Sequence, residues 1–143
     1  MKKKNIIITA IVAVIVIIAG GGYVYHINQP EYKINKFLSG HIIEQNSAQH
    51  YFKFNKDGKV YINDLNYKFS NKEIPKYLTK ELAQSSYWKV KNDKLLFADK
   101  SDFKNTTTSL KFVSLKDHKL TFKSSYTYEG ETITNKFVFR QIK

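Results

Sequence analysis

Apolar and polar positions divide the chain into two unlike stretches. Ile6 to Ala19 is apolar except for Thr9, and Gly20-Gly21-Gly22-Tyr23-Val24-Tyr25 follows it, so that 20 consecutive residues carry no charge. A helix of that length covers about 30 Å, the thickness of a bilayer's hydrocarbon core. Ile and Val favour strands in water, but a single segment in lipid has no sheet partner and satisfies its own backbone only as a helix. Lys2, Lys3 and Lys4 lie before the run and His26, Asn28 and Gln29 after it, which predicts a cytoplasmic N-terminus and an outside C-terminus. Tyr23 and Tyr25 suit the outer interface. The competing reading is a signal peptide cut near Ala19-Gly20-Gly21, releasing a secreted protein, although the run is long and no clean Ala-x-Ala site follows it.

After the run, apolar residues come two or three at a time and alternate with polar ones. The predicted organisation is a basic cytoplasmic tail (1–5), a transmembrane helix or signal anchor (6–25), a tether (26–36) and an extracytoplasmic β-rich domain (37–143). Tyr51-Phe52-Lys53-Phe54 and Lys59-Val60-Tyr61-Ile62 flank Asn55-Lys56-Asp57-Gly58, where glycine permits the positive φ that closes a hairpin. The acidic ligands that would make this loop a calcium site are missing. Asn66 to Ser70 reads as a short strand. From Asn71 to Gln84 the spacing changes: Ile74, Leu78 and Leu82 recur every four residues, with Pro75 tolerable in a first turn, which predicts one or two helical turns. Strands then resume. Tyr87-Trp88-Lys89-Val90 and Lys94-Leu95-Leu96-Phe97 flank Asn92-Asp93, and residues 107–115, 118–128 and 132–140 follow, with turns at Lys116-Asp117 and Glu129-Gly130. Seven to nine strands joined by short turns predict a mainly β fold, an antiparallel meander curled into a small barrel or sandwich with one short helical insert.

Composition sharpens this picture. Ten Tyr, ten Phe and one Trp supply a core that disordered chains lack. The absence of cysteine excludes disulfides, thiol catalysis and a lipid-modified cysteine as anchor. The net charge is +12, with 24 Lys and Arg against 12 Asp and Glu, and Arg140 is the only arginine. Lysine is a hydrated point charge, suited to diffuse attraction toward anionic head groups or an anionic wall polymer; readers of nucleic acid favour arginine forks. Export argues further against nucleic acid as a partner.

No catalytic constellation emerges. Serines and His41, His50 and His118 are present without a recognisable nucleophile setting, and most of the aspartates sit at predicted turns. Neither a zinc-ligand pattern nor a phosphate-binding loop occurs, so no cofactor or metal is expected and the chain is not read as an enzyme. The candidate ligand or partner contacts are aromatic: Trp88, Phe97, Phe112, Tyr126 and Tyr128. Core packing competes with that role at each, above all at Trp88.

Leu38-Ser39-Gly40-His41, the hairpin from Tyr51 to Val60, the unit Tyr87-Trp88-Lys89-Val90-Lys91-Asn92-Asp93-Lys94-Leu95 with its weaker echo from Leu110 to Leu120, and the closing Phe137-Val138-Phe139-Arg140 together resemble small exported bacterial lipocalin-like domains over roughly 38–140. Such domains are commonly of unknown function and held to the membrane by a lipid; here a helix would replace it. Length and export signal are also similar to those of uncharacterised membrane-tethered proteins of low-GC Gram-positive bacteria. The predicted topology and the lysine excess point to a tethered binding or interaction module, with an envelope protein, lipid or anionic wall polymer as partner. The alternatives are a carrier of a small apolar ligand, with residues 71–84 as a lid, and an envelope enzyme.

Overall fold

The computed structural model describes residues 26–45, 50–65 and 70–142. The proposed membrane span and most of the strand expected at 66–70 lie outside them. Among the described residues no helix is long and apolar enough to cross a membrane.

Eight strands, β1 (Ile42–Gln45), β2 (His50–Phe54), β3 (Lys59–Asp64), β4 (Gln84–Lys91), β5 (Lys94–Ala98), β6 (Thr106–Lys116), β7 (Lys119–Tyr128) and β8 (Glu131–Gln141), form an antiparallel meander. It closes into a barrel because β8 returns to pair with β1 through Ile43↔Gln141, Glu44↔Arg140 and Gln45↔Phe139. The choice between sandwich and barrel therefore falls to the barrel, a form consistent with the lipocalin-like expectation. Turn chemistry sets the registers. Gly58 has φ 91° and Asn55 N–H donates to the Lys59 carbonyl at 2.9 Å. Asp117-His118 and Glu129-Gly130 are pairs with positive φ at both positions, whose twist matches that of the flanking strands.

Two short helices complete the fold. The first, α1 (Pro30–Leu38), occupies a segment expected to be mostly tether. Proline in the first turn, Glu31 near the N-terminus and Lys36 in the last turn all favour it. Ile34, Phe37 and Leu38, at i, i+3 and i+4, point into the barrel and are buried with its core. Gly40, at φ 75°, turns the chain so that its N–H donates to the Phe54 carbonyl at 2.7 Å, and β1 starts two residues later. The Phe37 carbonyl accepts from Gln141 Nε2 at 2.8 Å, which fastens the helix to the last strand.

The second, α2 (Ile74–Tyr77), is a single turn. Leu78 leaves helical geometry (φ −106°, ψ 52°), so of the expected apolar stripe Ile74 and Leu78 are buried while Leu82 is 60% exposed. They pack with Tyr51 and Leu65, and with Ile42 and Tyr61, all apart from the main core. Ile42, Tyr51 and Tyr61 alternate with inward-facing Ile43, Phe52 and Val60, so α2 covers the outer wall of β1–β3 and does not lid the barrel.

Candidate functional site: the barrel mouth

An eight-stranded barrel has an interior just wide enough to be filled by side chains or to hold one small ligand. Aromatic rings decide between these here. Phe52, Phe54, Trp88, Phe97, Phe122 and Phe139 come from β2, β4, β5, β7 and β8 and share one cluster with Ile34, Phe37 and Leu38 of α1. Phe54 meets Trp88 edge-on at 5.1 Å between centroids, Phe122 meets Phe139 at 5.3 Å, and Phe52 bridges to Phe139 at 5.4 Å. One end of the barrel is thus stoppered by α1 and its middle is filled.

Among the described residues no element covers the other end. Phe52, Ile62 and Phe97 form its floor, and Gln84, Ser86, Asp99, Thr107 and Thr108 stand around it, bordering a wide-open cup of about 340 Å³. That volume is at the low end for ligand sites. Ser86 stands opposite Val60 in register and is buried, so its hydroxyl faces the cup from an apolar wall. One step further out on the same strands, His50 and Asp64 are direct cross-strand neighbours and share a hydrogen bond through Nδ1 and Oδ1. This pair puts a histidine beside a carboxylate two residues beyond Phe52 and Ile62, a juxtaposition the sequence alone did not reveal because it depends on the β2–β3 register. Among the described residues no nucleophile joins it in the contacts formed there, and no group of acidic and histidine side chains is suited to a metal. The pair can orient a polar group at the rim.

The sequence-predicted contact residues separate into two groups. Trp88 is 6% exposed, lies against Phe54, and donates from Nε1 to the Asn55 carbonyl at 3.0 Å, which ties the β2–β3 turn to β4. Phe97 belongs both to the core and to the floor of the cup. Phe112 packs partly buried against the same core. Tyr126 and Tyr128, by contrast, are 51% and 60% exposed. They lie where β7 has run past its partner on β6 and pairs with β8 alone, through Tyr126↔Ile133 and Tyr128↔Glu131. The structure does not gather the five into one site. It gives a two-stranded ribbon carrying two tyrosines beyond a cup floored by phenylalanines.

Two shallow clefts, of about 530 and 550 Å³, flank α1 at the stoppered end. Glu31 reaches across one of them and accepts from the Asn92 backbone N–H at 3.2 Å. Lys33, Lys36 and His41 border the other. No family model matches the chain, and neither a curated protein nor a solved structure matches it.

Proposed function

We propose that this chain is a membrane-tethered extracytoplasmic binding module that presents the outside and the open mouth of a filled barrel to its partner. The observation that carries the reading is the aromatic packing of the interior together with the stopper α1: with its middle occupied, the barrel has its wall, rim and ribbon left for recognition. The tether rests on the charge-free run 6–25 and the lysines before it. Only residues 26–29 separate that run from α1, and four residues reach at most about 14 Å. A span at 6–25 would hold the stoppered end near the head groups and turn the mouth away from the membrane. An envelope protein, a lipid or an anionic wall polymer fits such a placement.

A second reading has its own support. The cup floored by Phe52, Ile62 and Phe97 suits one small, partly apolar ligand, as in a lipocalin-like carrier. The likeness to exported lipocalin-like domains bears on both readings. The His50–Asp64 pair speaks for an envelope enzyme, but among the described residues no nucleophile contacts it.

Two measurements on the full chain test this. Protease added to intact spheroplasts should digest the domain and leave the N-terminal tail protected; a domain protected until the membrane is breached would overturn the topology. Native mass spectrometry after gentle extraction should give the bare protein mass. A stoichiometric adduct, lost when Phe97 is replaced by Asp, would transfer the assignment to the carrier.

A further inference from the structure

The outer wall of β4–β8 carries a feature that the sequence hides. Lys91 pairs directly with Lys94, Lys94 with Lys111, Lys111 with Lys123, and Lys123 with Lys136. Five lysines from five successive strands therefore stand side by side, each exposed. All face outward, since their neighbours Val90, Leu95, Leu110, Phe112, Phe122 and Phe137 belong to the interior.

Folding does not account for this row. Like charges directly opposite one another on neighbouring strands destabilise a sheet, and here the unfavourable pairing occurs four times in succession. Counter-charges do not relieve it: among the described residues none of the five lysines is in an ion pair. Two acids lie at the row's β4–β5 end: Asp93, in the turn between Lys91 and Lys94, and Glu31, whose carboxylate accepts from the Asn92 N–H of that turn. Along the wall, the outward positions one step toward the mouth are Leu96, Ser109, Ser125 and Thr134, and one step toward the stopper are Thr121 and Val138. On β4 the outward position toward the mouth is Lys89, paired with Leu96, and its ammonium lies over the Phe103 ring at 4.5 Å; no acid stands among these flanking positions. The alignment also depends on a β-bulge at Val113. Lys116↔Lys119 and Leu115↔Leu120 set one register, and the extra residue shifts it so that Lys111 meets Lys123 instead of inward-facing Ser124.

We infer that the lysine row is a binding site for a flexible chain polymer bearing repeated phosphate groups. Charge complementarity supplies the anion. Shape selects the polymer. Neighbouring strands are about 4.8 Å apart, so the row is roughly 19 Å long, and it passes around five of the eight strands of a closed wall. Strands in a barrel tilt, so the row winds obliquely about the axis. A flat bilayer touches such a curved path at two or three lysines, whereas a flexible chain follows all five. The row itself carries no ring, and Phe103 over Lys89 at its edge is a single platform, too little for a run of stacked bases, so contact is with the anionic backbone. The site is separate from the cup, and it extends the reading of the protein as a tethered module by naming the chemistry of a partner. It also fails separately, because protease protection reports location and the experiment below reports binding.

The test uses the full chain in zwitterionic detergent micelles and linear inorganic polyphosphate as probe, followed by titration calorimetry. Two triple variants remove equal charge: Lys111→Gln/Lys123→Gln/Lys136→Gln from the row, and Lys72→Gln/Lys76→Gln/Lys80→Gln from the segment around α2. Wild-type binding should saturate and weaken about 100-fold between 50 and 200 mM salt, the dependence expected when about five charges are neutralised along a single strand. The row variant should lose at least about tenfold in affinity at 100 mM salt and flatten the salt slope by about two, while the α2 variant changes less than about twofold. Single phosphate ions should bind too weakly to compete. Equal losses in the two variants would make net charge, not the row, responsible and overturn the proposal. So would absence of saturable binding, or a row variant that loses binding to phosphatidylglycerol vesicles while keeping its affinity for polyphosphate.

Discussion

The two ends of the barrel are built from the same strands and the same alternation, yet among the described residues one is packed and the other uncovered. At the stoppered end, inward positions such as Phe54, Leu95 and Leu120 meet Ile34, Phe37 and Leu38 from α1 and are sealed. At the mouth end, β7 and β8 continue the same phase from Phe122 and Phe137 into Ser124, Tyr126 and Tyr128 opposite Asn135, Ile133 and Glu131, with both tyrosines exposed and no described element packed over them. Alternation specifies which face a side chain takes; a separate element decides whether that face is buried.

Substitutions ordered by effect can break this contrast or sharpen it. Phe54→Ala, at the centre of the sealed half, should cost about 3–5 kcal/mol in urea-induced unfolding. Leu38→Ala removes a buried side chain of the stopper and should cost about 2–4 kcal/mol, with hydrogen exchange rising first in β1 and the β2–β3 turn. A loss as small as that of an exposed residue would mean that α1 rests on the barrel without closing it. Ile74→Ala asks the same of the outer wall: if α2 is an integral cover for Tyr51 and Leu65, about 2–3 kcal/mol is expected.

Tyr51 sharpens the point through pH. Burial under α2, at 4% exposure, and secondarily the charge of its cross-strand neighbour Glu44, raise its phenol above the ordinary value of 10.0. The folded state therefore favours the neutral phenol. That contribution is complete below pH 10.0 and is lost as pH rises through the higher folded value. Denaturation midpoints should fall more steeply above pH 10.0 in the wild type than in Tyr51→Phe, and parallel curves would place Tyr51 in contact with water. At the small end, Tyr128→Ala on the overhanging ribbon should change stability by less than about 0.5 kcal/mol. A larger loss would show that the ribbon packs against something.

Local chemistry made much of this fold legible. Gly58, Asn92 and Gly130 mark their turns because the backbone there takes positive φ, and strand limits follow from those turns. Non-local features were hidden. Closure depends on Ile43↔Gln141 and its two neighbours, which join opposite ends of the domain and leave no mark in either short segment. The helix α1 was obscured because three buried residues, next to a long apolar run, look like the margin of that run. The cup, the His50–Asp64 pair and the lysine row are products of register: each residue was visible, but adjacency exists only once strands are paired. Trp88 shows the converse. Its size predicted an anchor, and an anchor is what its packing and its bond to Asn55 make it.

The closing contact between β1 and β8 has a mechanical consequence. β1 is four residues long and meets β8 at three positions, the shortest of the interstrand contacts, and it follows directly after α1. A pull applied through the N-terminus, with a bound partner resisting elsewhere on the wall, would load the stopper first and this short junction next. The longest hairpin, β7–β8, with ten paired positions, would stay out of the line of force. The barrel is thus built to yield at its N-terminal side while the ribbon and the wall beside it hold their shape.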